Sequence, residues 1–337
     1  MIKLYKVLFF NSMILGTLIS ISSYSWMSAW IGLEINLLSI IPLLKNTKNK
    51  YPAEAALKYF IAQAMASSIL LFTTIIFYTS TQVPQEFNTI QTILMGSSLL
   101  LKTGAAPFHF WFPEVMSGLN WMNSLIMLTW QKLAPMMLLS YLINYNIMFF
   151  SIIIIVSSMI GGIQGLNQTC MRKILAYSSI NHIGWMISTL FNSTLLFMFY
   201  FMVYFIINLS IISMLKKFKI FFINQLTEIF SYKKIIKFMF MLNFLSLGGL
   251  PPFLGFLPKW LTMNFLVDNN HFTLSWMLII FTLISLYFYL RITFASFSLS
   301  VSETLLIPLE KMNSFYFIMS LLSLLGLMIC SMMYTIF

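Results

Sequence analysis

Residues 99–118 read LLLKTGAAPFHFWFPEVMSG and combine a helix break with a charge inside an apolar region. Lys102 ends an apolar run, and Gly104 and Pro107 then interrupt the helix that the run predicts. A lysine in a lipid-spanning helix costs about 2.5–3.5 kcal/mol on insertion scales, so it normally faces protein or water. A broken helix at membrane depth is tolerated only where protein or a cavity satisfies the freed backbone groups. Together these features predict a polar path inside a membrane protein.

The composition is that of an integral membrane protein. Of the 337 residues, 60% are hydrophobic and only 8% are charged, which is too little charge to cover a soluble surface. The net charge of +11 does not indicate nucleic-acid binding, because the basic residues lie in short connections between apolar segments. That placement is typical of signals that orient a chain in a membrane.

A membrane-spanning helix needs about 20 apolar residues, and by this measure the chain contains eleven spans. They cover residues 2–21, 24–44, 53–79, 87–118, 121–143, 147–167, 170–191, 193–216, 235–268, 273–297 and 312–335. The fourth and the ninth are too long for one straight crossing. The ninth contains GGLPPFLGF at residues 248–256, followed by Lys259. We expect both to be two half-helices joined by a break.

The two broken spans are an odd number of spans apart, so they should cross the membrane in opposite directions. Interrupted helices at corresponding positions point to inverted repeats with a site between them. The expected fold is therefore all-α, with two inverted five-helix repeats, each with a broken helix, and one C-terminal helix. We expect a single polytopic membrane domain, with repeats over residues 1–145 and 146–297 and the last helix within 298–337.

The positive charges agree with this topology. Fifteen of the 19 lysines and arginines lie on the side of the N-terminus, in connections or at the adjoining ends of spans, and the other four lie inside spans. Positively charged loops stay on the negative, synthesising side of a membrane. We therefore expect the N-terminus on that side and the C-terminus on the other.

Several cofactor chemistries fit the residue counts poorly. Two cysteines cannot supply the four thiolates of an iron–sulfur cluster, and three histidines cannot ligate the two haems of a dihaem cytochrome. The sequence has neither a dinucleotide-binding glycine fingerprint nor a phosphate-binding loop. We expect no redox centre and no nucleotide site in this chain.

Two buried charges in the first half are candidates for proton transfer. Glu34 lies near the middle of the second span, and Lys102 precedes the break in the fourth. Burial favours the neutral forms of both groups, whereas pairing favours the charged forms, so such a pair can switch as protons arrive. Two alternatives are open: Glu34 as a protonated carboxyl bonded to a backbone carbonyl, and Lys102 extending to the membrane surface.

Four further residues complete the candidate relay. Lys132 lies at the centre of the fifth span with Pro135 one turn later, and Lys259 follows the break in the ninth. His182, in the seventh span, and His109, after the first break, are histidines, the residue type best suited to a proton relay. Lys259 extending to the surface and histidines satisfied by neighbouring polar groups are the alternatives.

Two other charged residues are expected to be structural. Arg291, near one end of the tenth span, should extend to the membrane surface. Glu114, near the end of the fourth segment, is expected to have an interfacial structural role.

Four segments carry a resemblance to a known family. They are LLLKTGAAPFHFWFPEVMSGLNW, LTWQKLAPM, RKILAYSSINHIGWM and LSLGGLPPFLGFLPKW. Together, and in this order, they resemble the antiporter-like membrane-arm subunits of respiratory complex I, the NADH:ubiquinone oxidoreductase. The resemblance implies a proton-translocating subunit in the mitochondrial inner membrane, with the N-terminus in the matrix and the C-terminus in the intermembrane space.

The resemblance also implies site residues, cofactors and partners. The family's paired glutamate and lysine fall on Glu34 and Lys102, its central lysine on Lys132, its lysine in the second broken helix on Lys259, and its relay histidine on His182. Other subunits would bind NADH, FMN, the iron–sulfur clusters and ubiquinone, and this chain would contact other membrane-arm subunits and lipid. Two rival functions remain, a stand-alone cation/proton antiporter and a structural subunit that does not pump.

Overall fold

The fold is described from a computed structural model, which describes residues 4–45, 49–80, 89–230, 234–298, 320, 321 and 324. The described chain is helical, apart from turns and one isolated antiparallel bridge between Cys170 and Phe222. Its α-helices, in chain order, are α1 Leu4–Ile21, α2 Trp26–Leu44, α3 Tyr51–Ser80, α4 Thr89–Thr103, α5 Trp111–Gly118, α6 Trp121–Leu128, α7 Trp130–Ser140, α8 Ile147–Leu166, α9 Met171–Leu190, α10 Thr194–Phe218, α11 Ile223–Phe230, α12 Lys234–Gly248, α13 Phe256–Asp268 and α14 Phe272–Ser298.

Six described helices are long and apolar enough to cross a membrane. They are Leu4–Ile21, Trp26–Leu44, Tyr51–Thr79, Ile147–Leu166, Thr194–Phe218 and Phe272–Phe294. The expected all-α, multi-pass class is confirmed. The count of eleven spans stays a prediction, and the last span, 312–335, lies outside the described residues.

The two expected helix breaks are present and have the same backbone geometry. α4 and α12 each end at a glycine with positive φ, Gly104 at 77° and Gly249 at 78°. The amide after each glycine bonds a carbonyl five residues earlier: Ala105 N donates to Leu100 O at 3.1 Å, and Leu250 N to Leu245 O at 3.4 Å. This is the Schellman pattern, which satisfies carbonyls that a helix end would otherwise leave free. The chain resumes as α5 or α13 after a cis X–Pro bond in each case.

The fifth predicted span is not one helix. It divides into α6 and α7 at Thr129, whose φ and ψ are −117° and −78°. The Thr129 carbonyl accepts the Lys132 amide at 3.1 Å in a tighter, three-residue turn. Pro135 lies further along α7, where its ring removes one helical donor. This division was not predicted from the sequence, and local turn geometry ends α6 before Lys132.

The chain divides into two compact units, Met1–Ser157 and Ser158–Phe337. In the first, α1 and α2 cross at Gly16, where an added Cβ would lie 2.8 Å from the Asn36 amide nitrogen. In the second, α8 and α9 cross at Gly161, where an added Cβ would lie 2.6 Å from the Asn181 amide nitrogen. Small residues at such crossings let helix backbones approach closely, so these glycines fix where the polar residues of α2 and α9 lie.

Equivalent residues of the two units are separated by a constant interval, which we call the 145-residue register. Each residue in the second unit comes 145 positions after its counterpart in the first, without a gap. The pairs are Gly16 with Gly161, Asn36 with Asn181, Tyr59 with Tyr204, Gln63 with Asn208, Gly104 with Gly249, Pro107 with Pro252, Pro113 with Pro258, and Glu114 with Lys259. The two units therefore place the same crossing and the same break at equivalent points of their sequences.

Candidate functional site

Polar side chains satisfy the carbonyls at the end of α4. The Trp111 indole donates to Leu101 O at 3.1 Å, and the Gln63 amide donates to Lys102 O at 3.3 Å. Gln63 is 4% exposed, so this bond is inside the protein. Since a buried carbonyl without a donor costs free energy, α3 and α5 stabilise the break next to Lys102.

Glu34 and Lys102 lie near one another in the first unit. Lys102 is buried, and the Glu34 carboxylate is close enough to interact electrostatically with both Lys102 and the Tyr59 hydroxyl. Among the described residues, Glu34 and Lys102 form no direct salt bridge, and the buried Oε1 of Glu34 has no hydrogen-bond partner. Glu34 and Lys102 therefore lie near one another without a direct bond between them, and the Oε1 of Glu34 can accept a further hydrogen bond.

Lys132 is one of the most deeply buried cations in the described chain. It is 1% exposed, and its Nζ lies 5.6 Å from the centre of the Phe112 ring. Phe112 also packs against Gly104, where an added Cβ would be 3.3 Å from the Phe112 Cβ. One aromatic ring therefore contacts both the first break and the central lysine.

A buried polar network joins three helices beside Lys132. The Tyr59 hydroxyl on α3 donates to Gln131 Oε1 on α7 at 3.2 Å. Gln131 Nε2 donates in turn to Asn36 Oδ1 on α2 at 2.8 Å. All three side chains are at most 9% exposed. Because buried amides and hydroxyls are costly unless bonded, such a network fixes the relative position of its helices.

His109 lies in the first break and is 1% exposed. Its ring stacks on Phe110 with the ring centres 4.4 Å apart, and Nδ1 lies 3.3 Å from Pro107 O. Glu114, beyond the break, forms an exposed salt bridge with Lys58 at 2.6 Å. This salt bridge agrees with the expected structural role of Glu114, which stays a prediction.

In the second unit, a lysine occupies the break itself. Lys259 on α13 donates from Nζ to Gly248 O at 2.8 Å, and Leu247 O lies 3.5 Å away. Its Nζ also lies 5.9 Å from the Trp185 ring centre. Gly249 makes room for the lysine, because an added Cβ there would be 2.8 Å from Lys259 Cδ. Lys259 does not extend to a surface; it binds the carbonyls that the break exposes.

His182 lies beside a cavity about the size of one water molecule. The His182 Nδ1 is 2.8 Å from the Tyr200 hydroxyl, and its ring centre is 5.0 Å from that of Tyr204. These three side chains line a cavity of about 10 Å³, together with Ser246 and Leu247. A water needs about 10–15 Å³ and two to four polar partners. The cavity therefore has the volume and lining for a single water between His182 and the broken end of α12.

Arg291 ends on protein carbonyls. Its guanidinium donates to Gln168 O at 2.9 Å and also to Leu166 O, at the C-terminal end of α8. The last carbonyls of a helix have no amide donor within the helix and attract a cation, whereas the expectation that Arg291 extends to the membrane surface stays a prediction.

The sequence analysis missed the polar residues that surround the charges. They are Asn36, Tyr59, Gln63 and Gln131 in the first unit, and Asn181, Tyr200 and Tyr204 in the second. A comparison of the two halves of the sequence would have indicated several of them. Asn36, Tyr59 and Gln63 recur 145 positions later as Asn181, Tyr204 and Asn208. No group of three or more His, Cys, Asp or Glu side chains suited to a metal lies together in the described part of the chain.

The fold and these sites define a polytopic membrane protein with interrupted helices and buried cations near the breaks. A family model described as "NADH:quinone oxidoreductase/Mrp antiporter, TM" matches residues 23–286, and the chain belongs to this family. A relative in Anopheles gambiae, named NADH-ubiquinone oxidoreductase chain 2, is 48% identical over 99% of both chains. A relative of the same name in Loxodonta africana is 40% identical over 86% of this chain and 84% of its own.

Solved structures agree with the family. A chain of respiratory complex I from Thermus thermophilus has a TM-score of 0.85 and 25% identity, over 97% of this chain and 78% of that one. A chain of the Mrp complex from Dietzia has a TM-score of 0.74 over 84% of this chain and 59% of that one. At 15% identity, the second likeness concerns the fold alone.

Proposed function

We propose that this chain is the antiporter-like, proton-translocating subunit of a respiratory NADH:ubiquinone oxidoreductase in the mitochondrial inner membrane. The observation that carries the proposal is the buried lysine beside each break, Lys102 in the first unit and Lys259 in the second. An apolar residue would avoid the cost of placing a cation at membrane depth. The names of the relatives, NADH-ubiquinone oxidoreductase chain 2, support the assignment to the complex.

In this proposal the redox reaction occurs elsewhere in the complex. NADH, FMN, the iron–sulfur clusters and ubiquinone are bound by other subunits, and this chain contacts other membrane-arm subunits and lipid. The N-terminus lies in the matrix and the C-terminus in the intermembrane space. Two inverted five-helix repeats are supported by the 145-residue register between the two breaks.

The proposed relay consists of Glu34, Lys102, Lys132, His182, Lys259 and His109. Redox energy changes the electrostatics along the buried charges, the Glu34–Lys102 pair opens, and a proton moves between Lys102 and Lys132. Lys259 passes a proton onward, with His182 beside it. Since protonation of one buried group disfavours protonation of the next, loading one site promotes release from another. Water bridges the gaps between side chains that do not touch.

The variant Lys102→Met tests this relay in the assembled complex. We expect the complex to assemble and to lose proton translocation, because methionine keeps the apolar stem and removes the cation. The measurement is the proton-to-electron ratio in sealed membranes, with Lys50→Met, an exposed lysine, as the control. An unchanged ratio in Lys102→Met would contradict the proposal.

A stand-alone cation/proton antiporter is the second candidate, because the description of the matching family model also names Mrp antiporters. The native membrane extracted in mild detergent separates the two. Migration of the chain within a large assembly that oxidises NADH with a quinone acceptor supports the first function. Migration alone, from active membranes, supports the second.

A third candidate is a structural subunit that does not pump. It predicts that neutralising Lys132, for example in Lys132→Met, reduces the amount of assembled complex and leaves the proton-to-electron ratio of the remainder unchanged. The pumping function predicts the reverse.

A further inference from the structure

Tyr59 is a buried hydroxyl donor with one bonded acceptor, Gln131, and a second acceptor, Glu34, nearby. It is 3% exposed, it donates to Gln131 Oε1 at 3.2 Å, and it lies within electrostatic reach of the Glu34 carboxylate. The Glu34 Oε1 is buried and, within the described chain, has no hydrogen-bond partner. A tyrosine hydroxyl has one proton to donate, so Tyr59 can satisfy only one of these two acceptors at a time.

Each acceptor belongs to a different part of the candidate relay. Glu34 is the acid of the Glu34–Lys102 site, whereas Gln131 directly precedes Lys132 on α7. The ring of Tyr59 is held in place, since it packs against the Trp111 ring with centres 5.8 Å apart. Since the phenol oxygen is fixed to this ring, an exchange of acceptor requires the Glu34 side chain to rotate toward the hydroxyl.

We propose that Tyr59 is a hydrogen-bond switch that couples the Glu34–Lys102 site to Lys132. While Glu34 is neutral or paired with Lys102, Tyr59 donates to Gln131, and Gln131 holds Asn36 at 2.8 Å. When Glu34 becomes an unpaired carboxylate, it is the stronger acceptor, because hydrogen bonds to ionised groups are about twice as strong as neutral ones. The Glu34 side chain then rotates to accept the Tyr59 hydroxyl proton in a hydrogen bond, and the released Gln131 changes the surroundings of Lys132.

The second unit supports this role independently. Tyr204 stands 145 positions after Tyr59, and Asn181 stands at the same interval after Asn36. Tyr204 also lies beside a titratable group, with its ring centre 5.0 Å from that of His182, and it lines the cavity next to that histidine. A buried tyrosine next to the titratable side chain is therefore common to both units, although the titratable residues differ. Tyr59 is a positioning residue in this scheme and carries no proton itself.

The inference rests on the proposed proton translocation, and Tyr59→Phe in the assembled complex tests it. Phenylalanine keeps the ring contact with Trp111 and removes only the hydroxyl. We expect the rate of coupled proton translocation to fall about fivefold, the change that corresponds to one hydrogen bond, while the amount and the melting temperature of the complex are retained. Tyr141→Phe, at a 56% exposed tyrosine of the same unit, is the matched control and should leave the rate unchanged.

Two double variants identify the path of the effect. Tyr59→Phe should add nothing to Gln131→Leu, and nothing to Glu34→Gln, because residues that act through one connection are not additive. Additive losses would show that Tyr59 acts on neither acceptor and would overturn the inference.

The Lys102→Met variant separates the two possible failures. If Lys102→Met loses translocation and Tyr59→Phe keeps the full rate, the switch is wrong and the proposed function stands. If Lys102→Met keeps translocation, the proposed function itself fails. A loss of assembly or melting temperature in Tyr59→Phe, with an unchanged proton-to-electron ratio in the remainder, would also overturn the switch, because it would assign Tyr59 a purely structural role.

Discussion

The two helix breaks have the same backbone and different cations. Gly104 and Gly249 end their helices with almost identical φ values and the same pair of carbonyl bonds. In the first break, neutral donors bind the freed carbonyls, and Lys102 is left for Glu34. In the second, Lys259 binds the freed carbonyl of Gly248 directly. In the first unit, neutral side chains bind the freed carbonyls and Lys102 carries the buried charge. In the second unit, Lys259 does both.

The two breaks carry their lysines at different positions of the 145-residue register, although their backbones are alike. Lys259 stands 145 positions after Glu114, and Lys102 has Leu247 as its counterpart. Both units share the glycine, the two prolines and the helix crossings that shape the break. The same break can therefore carry its lysine at different positions. Break geometry depends on backbone conformation, which glycine and proline set. The placement of charge depends on single side chains.

The largest effect is expected at Gly255, where the chain of the second break lies against α12. At Gly255 an added Cβ would overlap the Ser246 carbonyl oxygen, so Gly255→Ala should force α12 and α13 apart. We expect a loss of about 4 kcal/mol or more in stability, the range of severe overpacking, and hence little assembled complex on a native gel. Gly248→Ala is the control, because its added Cβ meets Tyr289 at an ordinary 3.5 Å. Equal amounts of complex in both variants would contradict this contact.

An intermediate effect should distinguish the two lysines. Lys259→Met removes the donor to Gly248 O, and an unsatisfied buried carbonyl costs about 1–3 kcal/mol. Lys102→Met removes no backbone donor of its break. We expect thermal unfolding of the purified complex to shift downward in Lys259→Met and to stay close to wild type in Lys102→Met, although both should impair proton translocation. Identical unfolding curves would mean that the breaks do not use their lysines differently.

The smallest effect is expected at Glu114, the counterpart of Lys259. Its salt bridge with Lys58 is more than half exposed on both sides, and such pairs contribute about 0.2–1 kcal/mol. Glu114→Gln should therefore leave proton translocation intact and lower stability slightly, with a difference that disappears at high salt because salt screens exposed charges. A lost proton-to-electron ratio in Glu114→Gln would place this carboxylate in the relay after all.

The sequence was sufficient for the helical class, for both breaks and for which charges are buried. Apolar runs of membrane-spanning length exclude other folds, and Gly104 with Pro107, or Gly249 with Pro252, cannot continue a helix. These are local constraints, so they can be read from neighbouring residues. The interruption at Thr129 was missed because neither glycine nor proline marks it, and Pro135 lies six residues later.

The partners of the buried charges were decided only by the tertiary structure. Whether Lys259 extends outward or binds the Gly248 carbonyl, and whether Tyr59 lies beside Gln131 or elsewhere, depends on how separate helices cross and rotate. A composition or a spacing constrains one helix at a time, whereas a hydrogen bond between residues 72 positions apart requires two helices to be placed together. The sequence alone determined that Lys102, Lys132 and Lys259 stand within long apolar segments, and the packing of the helices determined which groups these lysines can reach.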